Sequence, residues 1–365
     1  MKRFFSHLPA FVETLDWSQP DPAIDPPEHR RVYHELHYAA LFALEAAAAI
    51  ENLARDTPID IIEAPESEAP AWFLLDRARE SHGLVLGRIP VVTVLHSPYP
   101  WMLELNRAAM RWDADHHRAR MEMEQARWSH GLICPSAAVA DWTRSLWSPD
   151  RPIEVVPLPL GDLEPLARAS AQRRQSPRQP ATPRRMLFAG RLEHRKAIPI
   201  LLEAFDRAIA RGAELELHLA GGDTPDPDDP TRLVGASRLA ALSETARARV
   251  HVHGNLSPAA LADLRATCPI AAVPSPMDNF PVSCMEAMAS GQFVIASRAG
   301  GMAEMIDHPR TGLLVAPADT HAWSDALCHA ARLPAHALDD VGRAAANAIL
   351  QSCGNDVVLA ARLDH

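Results

Sequence analysis

The sequence predicts an α/β protein with two doubly wound lobes and a cleft between them. At 365 residues the chain exceeds the roughly 250–300 residues at which a single hydrophobic core stops growing, so two domains are expected. Short β-type runs alternate with helical runs, most regularly in the second half. This alternation is typical of a parallel sheet covered by helices, which binds its ligand at the carboxyl ends of the strands.

The first lobe is predicted over residues 1–162. Its candidate strands are residues 59–63, 91–96, 131–134 and 153–158, and a long helical pattern over 28–54 precedes them. Residues 163–185 are rich in Ser, Pro, Gln and Arg without apolar periodicity, which predicts a linker between the lobes.

The second lobe is predicted over residues 186–365. Its strands are expected in the runs MLFAG, LELHLAGG, VHVHG, IAAVPS, FVIAS and LLVAP. Helical patterns follow these runs over 196–211, 231–248, 257–267, 282–290, 301–306 and 320–332.

Two carboxylates, Asp278 and Glu286, lie eight positions apart around a predicted helix start. Pro281 suits the first position of a helix, and the Ala- and Met-rich run behind it favours helix. Because a helix start carries free N–H groups and a partial positive charge, the amides near Val282 and Ser283 can receive a phosphate or sugar hydroxyls. The pattern indicates a sugar-nucleotide site.

Six motifs follow one another along the second lobe. They are Gly190-Arg191-Leu192 with Lys196, LHLAGG ending at Gly222, Pro274-Ser275, the acid pair, the run from Gly300 to Glu304, and the run from Gly312 to Val315. In this order they resemble the retaining family 4 glycosyltransferases, glycosyl transferases group 1, which have the GT-B fold of two Rossmann-like lobes. The likeness is close over residues 186–326 and looser over 59–161.

The resemblance implies a role for each matching residue. Arg191 and Lys196 would bind the donor diphosphate, Glu286 the donor ribose and Asp278 the donor sugar, while His96 would face that sugar from the first lobe. The remaining donor-binding residues implied by the motifs are Gly190, Gly222, Ser275, Asn279, Phe280, Val282 and Ser283. Asp278 stands where many relatives carry Glu, and Pro281 where many carry Gly.

The residues themselves leave other readings open. Asp278 is also suited to cap the helix that follows it. Arg191 and Lys196 could be surface cations, and His96 a structural histidine at a strand end. Glu63 and Glu66 could line the acceptor side of the cleft or be ordinary loop carboxylates.

By resemblance, the reaction is transfer of a sugar from a nucleoside-diphosphate sugar to a glycan, a lipid-linked or a small-molecule acceptor. Retention is expected, with no metal ion and no other cofactor. Two alternatives remain: a catalytically silent GT-B subunit that binds a nucleotide or a partner, and a sugar-nucleotide epimerase. The family opens with a strand and a glycine-rich loop, yet no glycine precedes Gly83. We therefore expect the first lobe to be incomplete and transfer to need upstream residues.

The composition of the chain limits the kinds of partner and site that we expect. A net charge of -10 argues against nucleic acid. The five cysteines form no C-x-x-C pair and the histidines no H-E-x-x-H, which predicts buried thiols in a cytoplasmic protein without a metal site. No apolar run reaches the ~18–20 residues of a membrane span. Seven of the eight tryptophans lie in the first lobe, where core packing, sugar stacking and peripheral membrane contact all remain open.

Overall fold

The computed structural model describes residues 27–80, 89–172, 183–226 and 229–363. The chain divides into two compact units. The first unit comprises Met1–Trp101, Ala109–Ile133 and Thr143–Glu154, and the second comprises Met102–Ala108, Cys134–Trp142 and Val155–His365. This division differs from the predicted lobes because two short segments of the first half, and residues 155–162, belong to the second unit.

The first unit is built on a four-stranded sheet. Its strands, in spatial order, are β1 (Ile62–Pro65), β2 (Val91–Val94), β3 (Gly131–Cys134) and β4 (Ile153–Val155). The pairs β1–β2 and β2–β3 are parallel, with Ile62 opposite Val91 and Val92 opposite Gly131. All four strands lie in or beside the predicted runs. The described chain has no strand before Ile62, and residues 1–26 lie outside the described ranges.

Five helices accompany this sheet. They are α1 (Pro27–Asp56), α2 (Trp72–Glu80), α3 (Tyr99–Leu105), α4 (Asp113–Trp128) and α5 (Ala137–Trp147). Ala40, Ala43 and Ala47 give α1 a small apolar face that packs into the core. Core packing is the outcome for Trp72, Trp101 and Trp147, which are buried, whereas Trp112 is 72% exposed. Trp17 lies outside the described residues.

The second unit is built on a six-stranded sheet. Its strands are β5 (Arg184–Ala189), β6 (Leu215–Ala220), β7 (Val250–Gly254), β8 (Ile270–Val273), β9 (Phe293–Ser297) and β10 (Leu313–Val315). The spatial order is β10-β9-β8-β5-β6-β7, and the pairs are parallel. This is the doubly wound order, which reverses between β5 and β8. Ligands of such sheets bind at this reversal, outside the carboxyl ends of the strands.

Both faces of this sheet are buried at its central strands, whereas the edge strand β7 is largely exposed. Its helices are α6 (Glu164–Gln172), α7 (Ile198–Ala210), α8 (Val234–Ala240), α9 (Glu244–Arg247), α10 (Pro258–Thr267), α11 (Val282–Ala289), α12 (Gly300–Met305), α13 (Thr320–Arg332), α14 (Ala335–Cys353) and α15 (Asn355–Leu363). On β8, Ile270 and Ala272 join one apolar core and Ala271 and Val273 join the other. A strand of a parallel sheet that is covered on both faces is therefore apolar along its whole sequence.

The segment predicted as a linker begins with a helix. Residues 164–172 of the predicted linker form helix α6, which packs on α14 and buries Ala167 and Ser170. Residues 184–185 already belong to β5. The chain entering α6 is also fixed, because Leu160 N–H donates to Cys353 O at 2.8 Å.

Two further sequence predictions concern cysteines and membranes. All five cysteines are buried thiols, as the sequence predicts. In the described ranges, none of the helices has both the length and the apolar character that crossing a bilayer requires.

Candidate functional site

Two glycine turns form a surface of main chain at the carboxyl ends of β5 and β6. Gly190 N–H donates to Ala220 O at 2.8 Å, and Leu192 N–H donates to Gly222 O at 2.8 Å. A Cβ added to Gly221 would lie 1.9 Å from Gly190 O, so the two turns meet backbone to backbone. The predicted residues Gly190 and Gly222 therefore lie in adjoining turns, whose close approach the glycines permit.

A cluster of cations follows β5. In the 3₁₀ turn His194–Lys196, the Lys196 ammonium contacts Asp278 Oδ2, and Arg195 Nη1 lies 3.6 Å from the same oxygen. Arg195 is 8% exposed and also pairs with Glu193 at 2.8 Å. Sequence reasoning missed Arg195, whose only signal is its position next to Lys196.

Arg191 is placed differently from Lys196. Its side chain is 61% exposed, and its ion pair, at 3.4 Å, is with Glu193. The described contacts thus join Lys196, and not Arg191, to the first member of the acid pair. The predicted role of Arg191 on the donor diphosphate remains a prediction.

Asp278 is buried in the loop between β8 and α11. It is 8% exposed, and its Oδ1 accepts the N–H of Asn279 at 3.1 Å. The sequence predicts Pro281 as the first residue of α11, but the helix begins at Val282 and Pro281 precedes it. No side chain caps the start of this helix. The capping interpretation of Asp278 is therefore wrong, and the carboxylate is held by cations instead.

Gly300 and Gly301 shape this loop from the start of α12. Gly301 N–H donates to Asp278 O at 3.0 Å. A Cβ on Gly300 would lie 2.1 Å from Asp278 O, and one on Gly301 would lie 1.9 Å from Asn279 O. Gly300 also has a φ of +53°, which favours glycine. The glycine pair is thus needed for the Asp278 loop to lie where it does.

Glu286, the second acid, lies on α11 and is fixed by an arginine. Its Oε2 is 2.5 Å from Arg265 Nη2, and the side chains of Glu286 and Arg265 are 25% and 7% exposed. Sequence reasoning missed Arg265, in the last turn of α10, because no local pattern links it to α11. The carboxylate therefore has one fixed partner and a solvent-facing portion.

The start of α11 presents backbone donors. Cys284 and Met285 N–H groups already bond to Pro281 O at 2.9 and 3.2 Å, which leaves the amides of Val282 and Ser283 ahead of the first bonded turn. Val282 is 53% exposed. This geometry agrees with the predicted position of these two residues.

Three predicted donor-binding side chains are used inside the fold. Phe280 is part of the core, and Ser275 is 1% exposed. Asn279 is buried and its Oδ1 accepts from Ser136 Oγ at 2.5 Å. The donor-binding role of these three residues remains a prediction, and their burial favours contact with a donor through backbone groups.

In the first unit, Glu66 supports the loop that contains His96. Glu66 is fully buried and accepts the backbone N–H groups of His96, at 2.6 Å, and Ser97. Burial raises the pKa of Glu66 to about 7, although these donors oppose the shift. The second buried acid, Glu122, accepts Tyr99 N–H at 2.6 Å. Glu66 is thus a loop-holding carboxylate rather than one facing an acceptor.

A cavity of about 550 Å³ lies in the second unit. Its lining includes His194, Ala197 and Pro276, which flank Lys196 and Asp278 in sequence, but neither Glu286 nor a glycine turn. We therefore assign the candidate site from the charged residues and the main-chain turns rather than from this cavity.

Comparison with known families agrees with this geometry. Residues 183–332 match the model of the family described as Glycosyl transferases group 1, and residues 9–160 match that of Glycosyltransferase Family 4. The doubly wound parallel sheet with a core on each face places the second unit in the α/β class. The chain belongs to the group 1, family 4 glycosyltransferases.

The curated relatives are similar over part of their length. D-inositol 3-phosphate glycosyltransferase of Corynebacterium glutamicum is 35% identical over 144 residues, 38% of this chain and 33% of the relative. The protein of that name from Saccharomonospora viridis is 28% identical over 253 residues, 67% and 57% of the two chains. The chain thus spans about a third to six tenths of these relatives.

Solved structures support the GT-B fold. Sucrose-phosphate synthase from Thermosynechococcus elongatus superposes with a TM-score of 0.64 at 20% identity, covering 93% of this chain and 79% of that one. Anabaena Alr3699/HepE in complex with UDP and glucose superposes with a TM-score of 0.61 at 18% identity, covering 87% and 81%.

Proposed function

We propose that the chain transfers a sugar from a nucleoside-diphosphate sugar to an acceptor, with retention and without a metal ion at the transfer site. The observation that carries this proposal is the pairing of Lys196 with Asp278 where the strand order reverses between β5 and β8. Glu286, on the helix after Asp278, completes the acid pair. Ligands of doubly wound sheets bind at this position.

The diphosphate is assigned to the glycine turns and the cations. The ammonium of Lys196 has an acidic partner, Asp278, which a bound diphosphate would partly replace. Cations and amides held in place before the reaction stabilise the charge that develops on a departing phosphate. This supports a leaving group neutralised by Lys196 and Arg191 instead of Mg²⁺.

The ribose is assigned to Glu286. Arg265 holds this carboxylate at 2.5 Å, and its exposed portion can accept hydrogen bonds from a pair of hydroxyls. Asp278 is assigned to the hydroxyls of the donor sugar.

Retention follows from attack on the face that the diphosphate leaves. In this proposal the bond from the anomeric carbon to the diphosphate oxygen breaks, and the bond from that carbon to the acceptor oxygen forms on the same face. The proton of the acceptor hydroxyl passes to the departing diphosphate oxygen. His96 is assigned to the donor sugar, as the family resemblance implies.

The proposal also concerns the nucleotide base of the donor and the chemical class of the acceptor. Because HepE was solved with UDP and glucose, uridine is the first base to test. The curated relatives are named for transfer to D-inositol 3-phosphate, so a phosphorylated polyol joins glycans and lipid-linked sugars among the acceptors to test. We place the activity in the cytoplasm, with peripheral membrane contact for a lipid-linked acceptor.

A second candidate is a nucleotide-binding subunit without transfer activity. It is favoured by the described part of the first unit, in which a helix and no strand precedes β1. This candidate shares the donor site and differs in turnover.

The two candidates are separated by one pair of measurements on the full chain. Thermal shifts with UDP, GDP, ADP and their sugars identify the base, and a radiolabelled donor with a panel of acceptors then measures transfer. Binding with acceptor-dependent transfer supports the enzyme, whereas binding without transfer or hydrolysis supports the subunit. Absence of binding to every nucleotide would contradict both.

A further inference from the structure

Three potential metal ligands lie together on two neighbouring strands of the second unit. Glu216 and His218 are two positions apart on β6, so they share a face of the sheet, and His251 on β7 is paired with His218 in register. Glu216 Oε2 lies 3.8 Å from His218 Nε2 and 3.9 Å from His251 Nε2. All three ligand atoms lie within 4.8 Å of one another.

His218 supplies a second, independent observation. The side chain is buried, with 6% of the residue exposed, and its Nε2 has no hydrogen-bond partner among the described residues. Buried polar atoms are ordinarily paired with protein or water, because an unpaired one loses its hydration without compensation. This nitrogen is directed at the other two ligand atoms, which indicates a missing occupant.

His253 fixes the orientation of the buried imidazole. Its Nε2 lies 3.0 Å from His218 Nδ1, so a proton on Nδ1 leaves the lone pair of His218 Nε2 facing Glu216 and His251. Histidine ligands of metals commonly donate their second N–H in this way.

We propose that Glu216, His218 and His251 bind one divalent transition-metal ion, with Zn²⁺ the best-suited common ion. Two imidazole nitrogens and one carboxylate oxygen match the ligands of Zn²⁺, whereas Mg²⁺ and Ca²⁺ prefer oxygen alone. Zn²⁺ bonds of ~2.0–2.1 Å in a tetrahedron place ligand atoms ~3.3 Å apart, so Glu216 Oε2 would approach each histidine nitrogen by roughly half an ångström. His251 is exposed and Glu216 partly exposed, which permits this closure.

One charged neighbour opposes the ion. Arg185 Nε lies 3.6 Å from Glu216 Oε2 and shares that carboxylate. A bound ion would take this oxygen and leave Arg185, whose side chain is 47% exposed, to be solvated by water. The cost is therefore small compared with that of displacing a buried cation.

The ion would join the edge strand to the sheet. Strand β7 forms one edge of the six-stranded sheet and is hydrogen-bonded to β6. His218 lies three residues before Gly221, so the ion would sit on the strands below the glycine turn and apart from Lys196, Asp278 and Glu286. Its role is to hold β7, which is compatible with metal-free transfer. The proposal departs from the sequence prediction of no metal site.

The test is metal binding by the full chain after removal of metal with EDTA. Titration of Zn²⁺ against a chromophoric chelator should give one equivalent per chain, and Co²⁺ should give the visible absorption of a four- or five-coordinate ion. Glu216→Gln and His251→Gln should bind at least tenfold more weakly. His253→Phe should lose about 10- to 100-fold in affinity while keeping one equivalent.

The matched control is His321→Gln, which removes an exposed histidine on α13 and should bind as the wild type does. Circular dichroism of the metal-free variants verifies their fold. Zn²⁺ should raise the unfolding temperature of the wild type and not of His251→Gln, while Mg²⁺ raises neither. The proposal is overturned if the wild type binds no Zn²⁺, or if His251→Gln binds it as tightly.

Discussion

Lys196 and Asp278 form an ion pair between the turn after β5 and the loop after β8, although 82 positions separate them. The chain has two lysines, Lys2 and Lys196, against thirty-four arginines. A label on lysine side chains therefore reports on the candidate donor site through Lys196.

Replacing Lys196 by Met should reduce transfer by about 10²–10³-fold, roughly 2.7–4 kcal/mol, because one fixed cation is lost from the leaving diphosphate. Arg191→Met should reduce transfer similarly. Reductive methylation with ¹³C-formaldehyde keeps the charge and labels both lysines. Addition of the matching nucleoside diphosphate should then shift the Lys196 methyl signal and leave that of Lys2 unchanged.

Transfer should also survive EDTA. Since EDTA would empty the proposed histidine site as well, the measurement belongs in His251→Gln, where that site is disabled. Loss of activity in EDTA and recovery with Mg²⁺ in this variant would show that a metal, and not Lys196 and Arg191, neutralises the diphosphate.

Alanine at the two acids should have different effects on binding. Glu286→Ala should abolish binding of the free nucleoside diphosphate, because the ribose loses its acceptor. Asp278→Ala should leave that binding largely intact and weaken binding of the nucleotide-sugar. Calorimetric titration of each variant with both ligands provides the comparison.

Stability must be measured alongside, because Glu286→Ala leaves the buried Arg265 without its partner. Glu286→Gln keeps an oxygen for Arg265 and serves as the folded control. Equal weakening of both ligands by Glu286→Gln and Asp278→Ala would contradict the separate roles.

Gly301→Ala should displace the Asp278 loop. Its Cβ would lie 1.9 Å from Asn279 O, so the expected loss of stability is ~1–3 kcal/mol, with weaker nucleotide-sugar binding. Gly131→Ala is the control, since its Cβ would lie 3.3 Å from a Val92 methyl in the first unit. Denaturant midpoints and ligand titrations measure the two effects. Unchanged sugar-nucleotide affinity in a destabilised Gly301→Ala would separate the glycine pair from the donor site.

Glu66 should make the stability of the protein fall as pH rises. Its pKa is about 7 in the folded chain against an ordinary value of 4.5, so between these values the folded state holds a proton that the unfolded state has released. Unfolding therefore becomes more favourable with rising pH, by at most ~1.4 kcal/mol per pH unit, and the change is complete above about pH 7.

Glu66→Gln has no such proton to lose. The free energy of unfolding of the wild type, minus that of Glu66→Gln, should therefore fall between pH 5 and pH 8, while titration of Glu122 largely cancels between the two proteins. Urea unfolding at three pH values is sufficient. Parallel pH curves for the two proteins would mean that Glu66 titrates normally.

Local patterns predicted the sheets well, because a strand buried on both faces is an unbroken apolar run such as Phe293–Ser297. The acid pair was also readable, since Asp278 and Glu286 are close in sequence. The sequence did not reveal which basic residues pair with these two acids. Arg265 and Arg195 reach them through the packing of separate elements, and surface arginines with the same neighbours are common.

The histidine cluster was also hidden in the sequence, because it depends on the register of two separate strands. His218 and His251 are 33 positions apart, and only the alignment of β6 with β7 makes them neighbours. Helix α6 was not predicted because the segment was judged by its Ser, Pro, Gln and Arg content. Leu163, Leu166, Ala167 and Ser170 nevertheless recur at helical spacing, which is the signal that could have found it.

The packing of α6 on α14 has a practical consequence for dividing the chain. A fragment cut at residue 186, where the linker was predicted to end, would discard α6 and uncover the apolar side of α14. It would also remove Glu164, whose carboxylate accepts Asn355 N–H at 2.7 Å, and Gly161, whose N–H donates to Asn355 Oδ1 at 2.7 Å. A fragment that keeps this packing must therefore begin no later than Val155, and one that also keeps Ser136 beside Asn279 must include the 134–142 segment of the second unit.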